Sequence, residues 1–344
     1  MTLCKTFGNM MVGAAFVALT TGAAMAQQVQ LNLQSFLPAQ STVPAEIIDV
    51  WADKVEATSG GSIEITRYPS MQLGGKPPEL IDQVIDGVID LTWTVVGYTP
   101  GRFPTTEVFE LPFMVTDSRA ASSAYWQMMK THMEDSEFKD VKVLGTWVHG
   151  PGVIHSVDPV ETPADFDGMK IRGASRQVNA LLKQLGATPV GMPVPAVPEA
   201  LSKSVIDGTT IPWEVSKSLR ISELVDYHTE FSGPYLYTVT FVLAMNRDKW
   251  NALSADQKAA FDIHSGAVFS VFAADVQTAA DAPARAIAVD AGNDILSLDA
   301  AQTQVWIDAA KPVYDTWVAE MAAKGMDGQA LIDEARALMD AYGN

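Results

Sequence analysis

Residues 169–213 read MKIRGASRQVNALLKQLGATPVGMPVPAVPEALSKSVIDGTTIPW, and this stretch decides the fold class. The spacing of its apolar residues predicts strands at 169–172, 189–192 and 208–213, with helices at 177–185 and 195–204 between them. Strands that alternate with helices in this way favour a parallel sheet with helices on both faces. The stretch therefore predicts an α/β fold.

The sequence before this stretch repeats the same rhythm, whereas the sequence after residue 254 is almost entirely helical. Strand patterns at 30–37, 63–68, 91–96 and 141–148 are separated by helical patterns at 42–58, 79–88 and 119–135. No Gly/Ser/Pro-rich linker divides the chain, and residues 27–344 are long enough for two hydrophobic cores. We expect two α/β lobes joined by several crossing strands, with helical packing at the C-terminus.

The N-terminus has the pattern of a secretory signal peptide. An early Lys5 precedes an apolar run from Met10 to about Leu19, and Ala-Met-Ala ends at Ala26. The run is shorter than the roughly 20 residues that span a bilayer, so residues 1–26 are predicted to be removed on export. The sole cysteine, Cys4, would leave with them, which excludes disulfides, thiol nucleophiles and iron–sulfur clusters from the exported protein.

Charge and motifs exclude further classes of function. The formal net charge of -18 disfavours nucleic acid and anionic lipid as partners. The sequence has no phosphate-binding loop, no GxGxxG after the first strand, no GxSxG elbow and no HExxH motif, and its five histidines are scattered. We see no second apolar run of membrane-spanning length. We therefore expect no catalysis, no cofactor and no direct membrane insertion. No metal ligands are assigned, and whether a sodium ion or another metal helps to bind the solute stays open.

Several phrases along the chain resemble one protein family. They are, in order, QLNLQSFLP, ITRYPSMQLGGKPPELIDQVIDGVIDLTW, FELPFM, DFDGMKIRGASR, ALSKSVIDGTTIPWE and MNRDKWNALSADQK. Their joint order is similar to the extracytoplasmic solute-binding proteins of TRAP transporters, the tripartite ATP-independent periplasmic systems. The resemblance implies a two-lobed periplasmic binding protein of type II-like fold, hinged by strands and a long helix, which closes over a small organic acid without catalysis.

The resemblance also implies a location, partners and lobe boundaries. The protein would be periplasmic and would deliver its solute to a small four-helix and a large twelve-helix membrane subunit for sodium-coupled uptake. The first lobe would comprise residues 27–150 and about 241–275, and the second lobe residues 151–240 and about 276–344. The alternative is a ligand-binding subunit for a sensor kinase, because the binding fold is the same.

Arg172 is the strongest candidate for contact with the ligand. It ends the strand pattern MKIR, at the edge where α/β lobes usually face their ligand. A guanidinium group is planar, always charged, and matches a carboxylate through two hydrogen bonds. In the family that the chain resembles, the arginine of the matching phrase forms a two-pronged salt bridge with the ligand carboxylate. A surface ion pair with Asp165 or Asp167 is the competing interpretation.

Two departures from the family pattern bear on the ligand. Many relatives carry Gln-Glu-Asn-Pro at the phrase that ends in Pro212 here, and Ile211 replaces the asparagine that reaches the ligand. Sialate-binding relatives have a second arginine where Gly152 or Val153 stands in this chain. A sugar acid is thereby disfavoured, and the pocket is predicted to be apolar. Trp213 is expected to pack on the solute, with a place in the core as the competing interpretation.

The remaining candidates are aromatic or basic residues at predicted strand ends and loops. They are Phe36, Trp93, Tyr98, Tyr235 and Tyr237 for aromatic contact, His149 or His155 as hydrogen-bond donors, and Arg176 as a supplementary charge. Core packing, a structural histidine and a solvated helix start are the competing interpretations. Together the candidates favour a monocarboxylate with an apolar or aromatic body. A 2-oxo acid, a C4-dicarboxylate and a compatible solute stay open as alternatives.

Overall fold

The structure is a computed structural model that describes residues 1–2 and 28–343. The predicted signal peptide, beyond its first two residues, and its cleavage site lie outside the described residues. The described chain forms two mixed sheets flanked by helices, which confirms the α/β class. The strands are β1 Val29–Gln34, β2 Ile63–Tyr68, β3 Leu91–Val95, β4 Val141–Val148, β5 Gly152–Ser156, β6 Lys170–Gly173, β7 Thr188–Gly191, β8 Gly208–Pro212, β9 Tyr227–Phe231, β10 Thr240–Asn246 and β11 Asp294–Leu298.

Eleven α-helices in the described chain cover and connect these sheets. They are α1 Asp49–Thr58, α2 Leu80–Ile85, α3 Ser118–Met128, α4 Arg176–Gln184, α5 Val197–Ser202, α6 Trp213–Leu219, α7 Arg247–Ala252, α8 Ala255–His264, α9 Ala267–Ala291, α10 Ala300–Ala323 and α11 Gly328–Gly343. Side-chain caps fix several of the starts. Ser175, for example, accepts a hydrogen bond from the backbone of Val178 and begins α4.

The first lobe is built on a five-stranded sheet with the order β2-β1-β3-β10-β4. Strand β1 runs parallel to β2 and β3, and β10 lies antiparallel between β3 and β4. Every residue of β3 and β10 is buried, because helices cover both faces of the sheet. The central strands therefore end in a region shielded from solvent, where a bound ligand would be desolvated.

The second lobe is built on a six-stranded sheet with the order β11-β9-β5-β8-β6-β7. Strands β6, β7 and β8 are parallel, as the alternation in residues 169–213 predicted. Strand β5 pairs antiparallel with β8 and with β9. This arrangement puts Arg172, near the end of β6, beside Thr209 of β8.

Two strand connections and one helix join the lobes. Residues 149–151 lead from β4 to β5, and residues 232–239 lead back from β9 to β10. Helix α9 packs on α3 of the first lobe and on α6 of the second. The segment Ala255–Ala291 is the one helical stretch in the described chain long and apolar enough by length and composition to span a membrane, with mean hydropathy 1.2, although we expected none. Its packing on both lobes gives its apolar residues a role inside the protein.

The structure differs from the sequence prediction at the C-terminal end. Strand β11 interrupts the region that we expected to be helical, and it pairs parallel with β9 at the edge of the second sheet. Helix α11 packs on α3 in the first lobe, whereas we expected residues up to 344 to remain with the second lobe. The chain therefore returns across the hinge once more than we predicted.

Candidate functional site

A cavity lies between the lobes, beside the two strand connections. The space within it that protein atoms do not fill, open solvent included, is about 420 Å³. Both lobes, the connections and α9 contribute to its wall. The lining residues are Phe36, Leu37, Val43, Trp93, Val95, Tyr98, His149, Arg172, Ala174, Val194, Ile211, Pro212, Glu214, Val215, Tyr237, Val239, Phe241 and Gln277. The wall is mostly apolar and aromatic, with a few polar groups between.

Arg172 places its charge in this wall. The residue is 1% exposed, so its guanidinium has lost nearly all contact with water. Its Nε donates to the carbonyl of Met192 at 2.9 Å and one terminal nitrogen to the carbonyl of Thr210 at 3.1 Å. The other terminal nitrogen, Nη2, has no hydrogen-bond partner. Among the described residues, no carboxylate forms an ion pair with Arg172, so the surface pair with Asp165 or Asp167 is not formed.

A buried cation without a counterion is costly, and an incoming anion would remove that cost. Tyr98 stands next to this charge from the opposite lobe. Its hydroxyl accepts a hydrogen bond from the backbone N–H of Val194 at 2.9 Å, which leaves its own proton free to be donated. Burial raises the pKa of Tyr98, while the neighbouring Arg172 lowers it, so the phenol stays neutral. Arg172 and Tyr98 can together donate to the two oxygens of one carboxylate.

Tyr237 occupies the space above Gly152. A Cβ atom at position 152 would lie 2.2 Å from a ring carbon of Tyr237, so only glycine fits beneath the ring. Burial raises the pKa of the Tyr237 hydroxyl well above its usual value. The ring therefore fills the position where we noted that a second arginine of sialate-binding relatives would stand.

Four rings, those of Phe36, Trp93, Tyr98 and Phe241, form the apolar wall of the first lobe. The Phe36 ring lies 4.4 Å from that of Trp93 and 5.6 Å from that of Tyr98, measured between centroids. Phe241, which the sequence analysis did not single out, stacks on Trp147 at 5.0 Å and lies 6.1 Å from Trp93. Aromatic walls of this kind favour a flat, apolar ligand body.

His149 lines the cavity but has no free nitrogen. Its Nδ1 hydrogen-bonds to the carbonyl of Gly150 at 2.6 Å, and its Nε2 accepts from the backbone N–H of Val239 at 3.0 Å. Burial lowers the pKa of His149 to about 4, against the hydrogen bond to Gly150, so the ring is neutral. We expected a hydrogen-bond donor to the ligand here. The structure instead uses both nitrogens to hold the two strand connections together.

Glu214 is a buried carboxyl in the cavity wall that the sequence analysis missed. Its Oε2 accepts from Nε2 of Gln277 at 3.1 Å, and its Oε1 has no hydrogen-bond partner. Burial raises the pKa of Glu214 to about 7, against the hydrogen bond from Gln277. Glu214 directly follows Trp213, which was the residue predicted to contact the solute. No sequence pattern marked Glu214 as a cavity residue. Gln277, in an Ala-rich helix, gave no signal.

Four of the predicted site residues do not line the cavity, namely Trp213, Tyr235, His155 and Arg176. The Trp213 ring packs beside His155 and His228, and its Nε1 donates to Glu230 at 2.8 Å. Trp213 begins α6 and turns toward a separate cleft behind the second sheet, which Tyr235 also lines. His155 is enclosed within that sheet, where it hydrogen-bonds to His228 at 2.6 Å and to the carbonyl of Ile211 at 3.2 Å. Ile211, rather than Trp213, faces the cavity.

Arg176 also lies outside the cavity. Its guanidinium forms ion pairs with Glu107 and Glu320, and these raise its pKa further above the usual value. Glu107 accepts in addition from Gln177 at 3.0 Å and from Nε1 of Trp317 at 3.1 Å. Because Glu107 belongs to the first lobe while the donors belong to α4 and α10, the cluster joins the lobes across the cleft.

Among the described residues, no group of three or more His, Cys, Asp and Glu side chains could hold a metal ion. The polar groups of the cavity are instead one cation, hydroxyl groups, an indole and a carboxyl with its amide partner. This set suits a ligand that carries one negative charge and an apolar body.

A family model described as bacterial extracellular solute-binding protein, family 7, matches residues 34–321. The crystal structure of a TRAP solute-binding protein from Rhodoferax ferrireducens T118, with copurified benzoate, is 47% identical, covers 92% of this chain and 99% of its own, and gives a TM-score of 0.90. A marine metagenome TRAP solute-binding protein specific for aromatic acids, crystallised with 3-hydroxybenzoate, is 42% identical over 92% of this chain and 100% of its own, also with a TM-score of 0.90.

A curated relative lies at greater distance. The C4-dicarboxylate-binding periplasmic protein of Rhodobacter capsulatus is 24% identical over 91% of this chain and 94% of its own length.

Proposed function

The chain belongs to bacterial extracellular solute-binding protein family 7, and from that membership we propose that it is the periplasmic receptor of a TRAP transporter and captures a small aromatic monocarboxylate. One observation carries the ligand class. Arg172 is buried with Nη2 unpartnered, in a cavity whose wall is otherwise largely aromatic. An anion of one charge restores the electrostatic balance, and a flat apolar body fills the remaining space.

The aromatic class is supported by the relatives as well as by the wall. The two structures at 42% and 47% identity hold 3-hydroxybenzoate and benzoate. The dicarboxylate-binding relative is more distant, and a second ligand carboxylate would meet Glu214 or the rings of Phe36 and Trp93. A C4-dicarboxylate therefore ranks below an aromatic monoacid, as do a 2-oxo acid and a compatible solute, which offer the rings less apolar surface.

Delivery of the solute completes the proposal. The mature receptor, released after Ala26, would hand the acid to a small four-helix and a large twelve-helix membrane subunit for sodium-coupled uptake. A role beside a sensor kinase is the second candidate. Purification of tagged membrane subunits encoded next to this gene tests the choice, since a transporter subunit should retain the receptor and a kinase should not.

A thermal-shift screen tests the ligand class. The panel contains benzoate, phenylacetate, mandelate, succinate, pyruvate, ectoine and glucose with the purified mature chain. We expect aromatic monoacids to raise the melting temperature most, because a ligand that binds only the folded state stabilises it by about 3 kcal/mol at a hundredfold excess over Kd. Stabilisation by glucose alone would refute a carboxylate ligand, and stabilisation by ectoine alone would refute an aromatic monoacid.

A further inference from the structure

The cavity leaves three buried polar atoms without a partner. Among the described residues that line it, these atoms are Nη2 of Arg172, Nε1 of Trp93 and Oε1 of Glu214. The first two are donors, and both can be satisfied by the oxygens of a carboxylate. Nothing in an unsubstituted benzoate matches the third, because a ring C–H neither accepts nor donates a strong hydrogen bond. A buried polar group left unmatched costs binding free energy.

A chain of hydrogen bonds fixes the orientation of Glu214. Nε1 of Trp147 donates to Oε1 of Gln277 at 2.6 Å, so the amide nitrogen of Gln277 must face Glu214. That nitrogen donates to Oε2 of Glu214 at 3.1 Å. The hydroxyl of Thr42 is a second donor beside the carboxyl and lowers its pKa, and among the described residues Oε1 has no hydrogen-bond partner. The free oxygen is therefore held in place, as a recognition group must be.

The Glu214 carboxyl can hydrogen-bond to a ligand hydroxyl group whether the carboxyl is protonated or ionised. Burial raises the pKa of Glu214 to about 7, and the negative charges of Glu46 and of the ligand itself favour the protonated form. A proton on Glu214 would reside on Oε1, since Oε2 accepts from Gln277. Oε1 then donates to the oxygen of a hydroxyl, and when it is ionised it accepts the proton of the same hydroxyl.

We propose that Glu214 selects aromatic acids that carry a ring hydroxyl group, with Arg172 holding the carboxylate and Glu214 the hydroxyl. This inference rests on the function proposed above and adds a specificity-determining residue to it. An apolar wall alone would not favour a polar substituent, whereas this inference requires that a ring hydroxyl improves binding to a mostly aromatic cavity.

Matched ligand pairs separate the effect of hydrogen bonding by the hydroxyl group from the effect of its size. Calorimetry with the wild-type chain compares each of 2-, 3- and 4-hydroxybenzoate with the methylbenzoate of the same substitution, because methyl and hydroxyl groups are similar in size. We expect at least one hydroxybenzoate to bind about tenfold or more tightly than its methyl partner, the size of effect that one buried hydrogen bond supplies. No preference at any ring position overturns the inference.

Variants assign the preference to Glu214. Glu214→Leu should abolish the preference for the hydroxyl, so that each hydroxybenzoate and its methyl partner bind the variant within about threefold of each other. Glu214→Gln keeps the shape and should reduce the preference at least about threefold, so the test survives a leucine variant that does not fold. Glu110→Gln is the matched control, since Glu110 is equally buried, has a pKa raised to about 7 by burial, and does not line the cavity. It should leave the preference unchanged.

The outcomes distinguish this inference from the function on which it rests. Equal loss of hydroxybenzoate, methylbenzoate and benzoate binding in both Glu214 variants makes Glu214 a structural residue and overturns the inference alone. If benzoate binds to the wild type and Arg172→Met loses it, the aromatic monoacid receptor stands. Failure of all aromatic acids to bind the wild type would overturn both.

Discussion

The guanidinium of Arg172 is held by carbonyl groups, which orient it without neutralising it. Met192 and Thr210 satisfy two of its nitrogens, and the third faces the cavity. This differs from Arg285 and Arg67, whose charges are compensated by carboxylates. The charge of Arg172 is therefore available to attract an anionic ligand.

Replacement of Arg172 by methionine tests that role. The side chain keeps its approximate volume and loses its charge, so affinity for benzoate should fall by about 2 to 5 kcal/mol. The folded state should be unaffected or stabilised, because an unpaired buried cation disappears. Isothermal calorimetry and thermal melting of the apo protein measure the two quantities. Arg102→Met, which removes a partly exposed arginine from an ion pair with Asp82, is the control and should bind normally.

His149 predicts how stability depends on pH. Its pKa is lowered to about 4 by burial, below the value near 6.5 of an unfolded chain. At pH values between these two pKa values, His149 therefore binds a proton in the unfolded state but not in the folded state. The contribution of this group to the free energy of unfolding should fall by up to about 3 kcal/mol as pH drops from about 6.5 toward 4.

His149→Gln isolates this contribution. The amide can donate to Gly150 and accept from Val239, but it does not titrate in this range. Urea denaturation at pH 7 and pH 5 should show a smaller acid loss in the variant than in the wild type. His132→Gln removes a partly exposed histidine as the control. Equal acid loss in all three proteins would contradict the assignment.

At the scale of elements, one short segment of the first lobe forms ion pairs and hydrogen bonds with the second lobe. Residues Pro104–Glu110 present Glu107, 6% exposed, to donors from α4 and α10. Gly97 packs directly on Ser175 at the start of α4, where a Cβ would come within 2.5 Å of the serine side chain. These contacts exist only while the lobes are together.

Glu107→Gln should therefore weaken ligand binding without touching the ligand. Loss of the buried charge leaves Arg176 with one acidic partner and shifts the lobes toward separation, which should speed ligand release about tenfold or more. Stopped-flow displacement measures the release rate. Glu199→Gln, which breaks an exposed pair with Lys203 in α5, should leave it unchanged. Unchanged release in the Glu107 variant would show that the cluster does not hold the lobes together.

The sequence predicted elements best where local pattern and burial agreed. Residues 63–68 alternate buried and exposed side chains and form β2 as predicted, and the apolar run 141–148 forms β4. Strand β11 escaped prediction because DILSL is a short, half-buried edge strand between long Ala-rich helices, and it depends on pairing with β9. Distant pairing leaves little trace in a local pattern.

The site was harder to predict than the fold. Phe36, Trp93, Tyr98, His149, Arg172 and Tyr237 do line one cavity, and their contact with ligand stays a prediction. Trp213 and Tyr235 turn to the cleft behind the second sheet, because the direction of a side chain just after a strand depends on how the chain leaves it. Glu214 and Gln277 meet from segments 63 residues apart, which no single motif contains.

At the scale of the whole molecule, we expect ligand binding to be coupled to closure of the two lobes. The cavity wall comes from both lobes, so it is complete only when they meet. A ligand that contacts both sides must then favour the closed form. Small-angle scattering should show a smaller radius of gyration with saturating benzoate than without ligand. No change in radius on binding would show that the apo protein is already closed.

Gly152 has a consequence for how this receptor can evolve. The Tyr237 ring occupies the volume that a Cβ at position 152 would need, so position 152 cannot gain a side chain while Tyr237 stays. A mutation that adds a side chain at position 152 would clash with the Tyr237 ring and destabilise the receptor before it could bind a new solute. A shift toward ligands with a second anionic group must therefore begin with a smaller residue at position 237. The order in which mutations arrive, and not only their identity, decides which solutes descendants of this protein can reach.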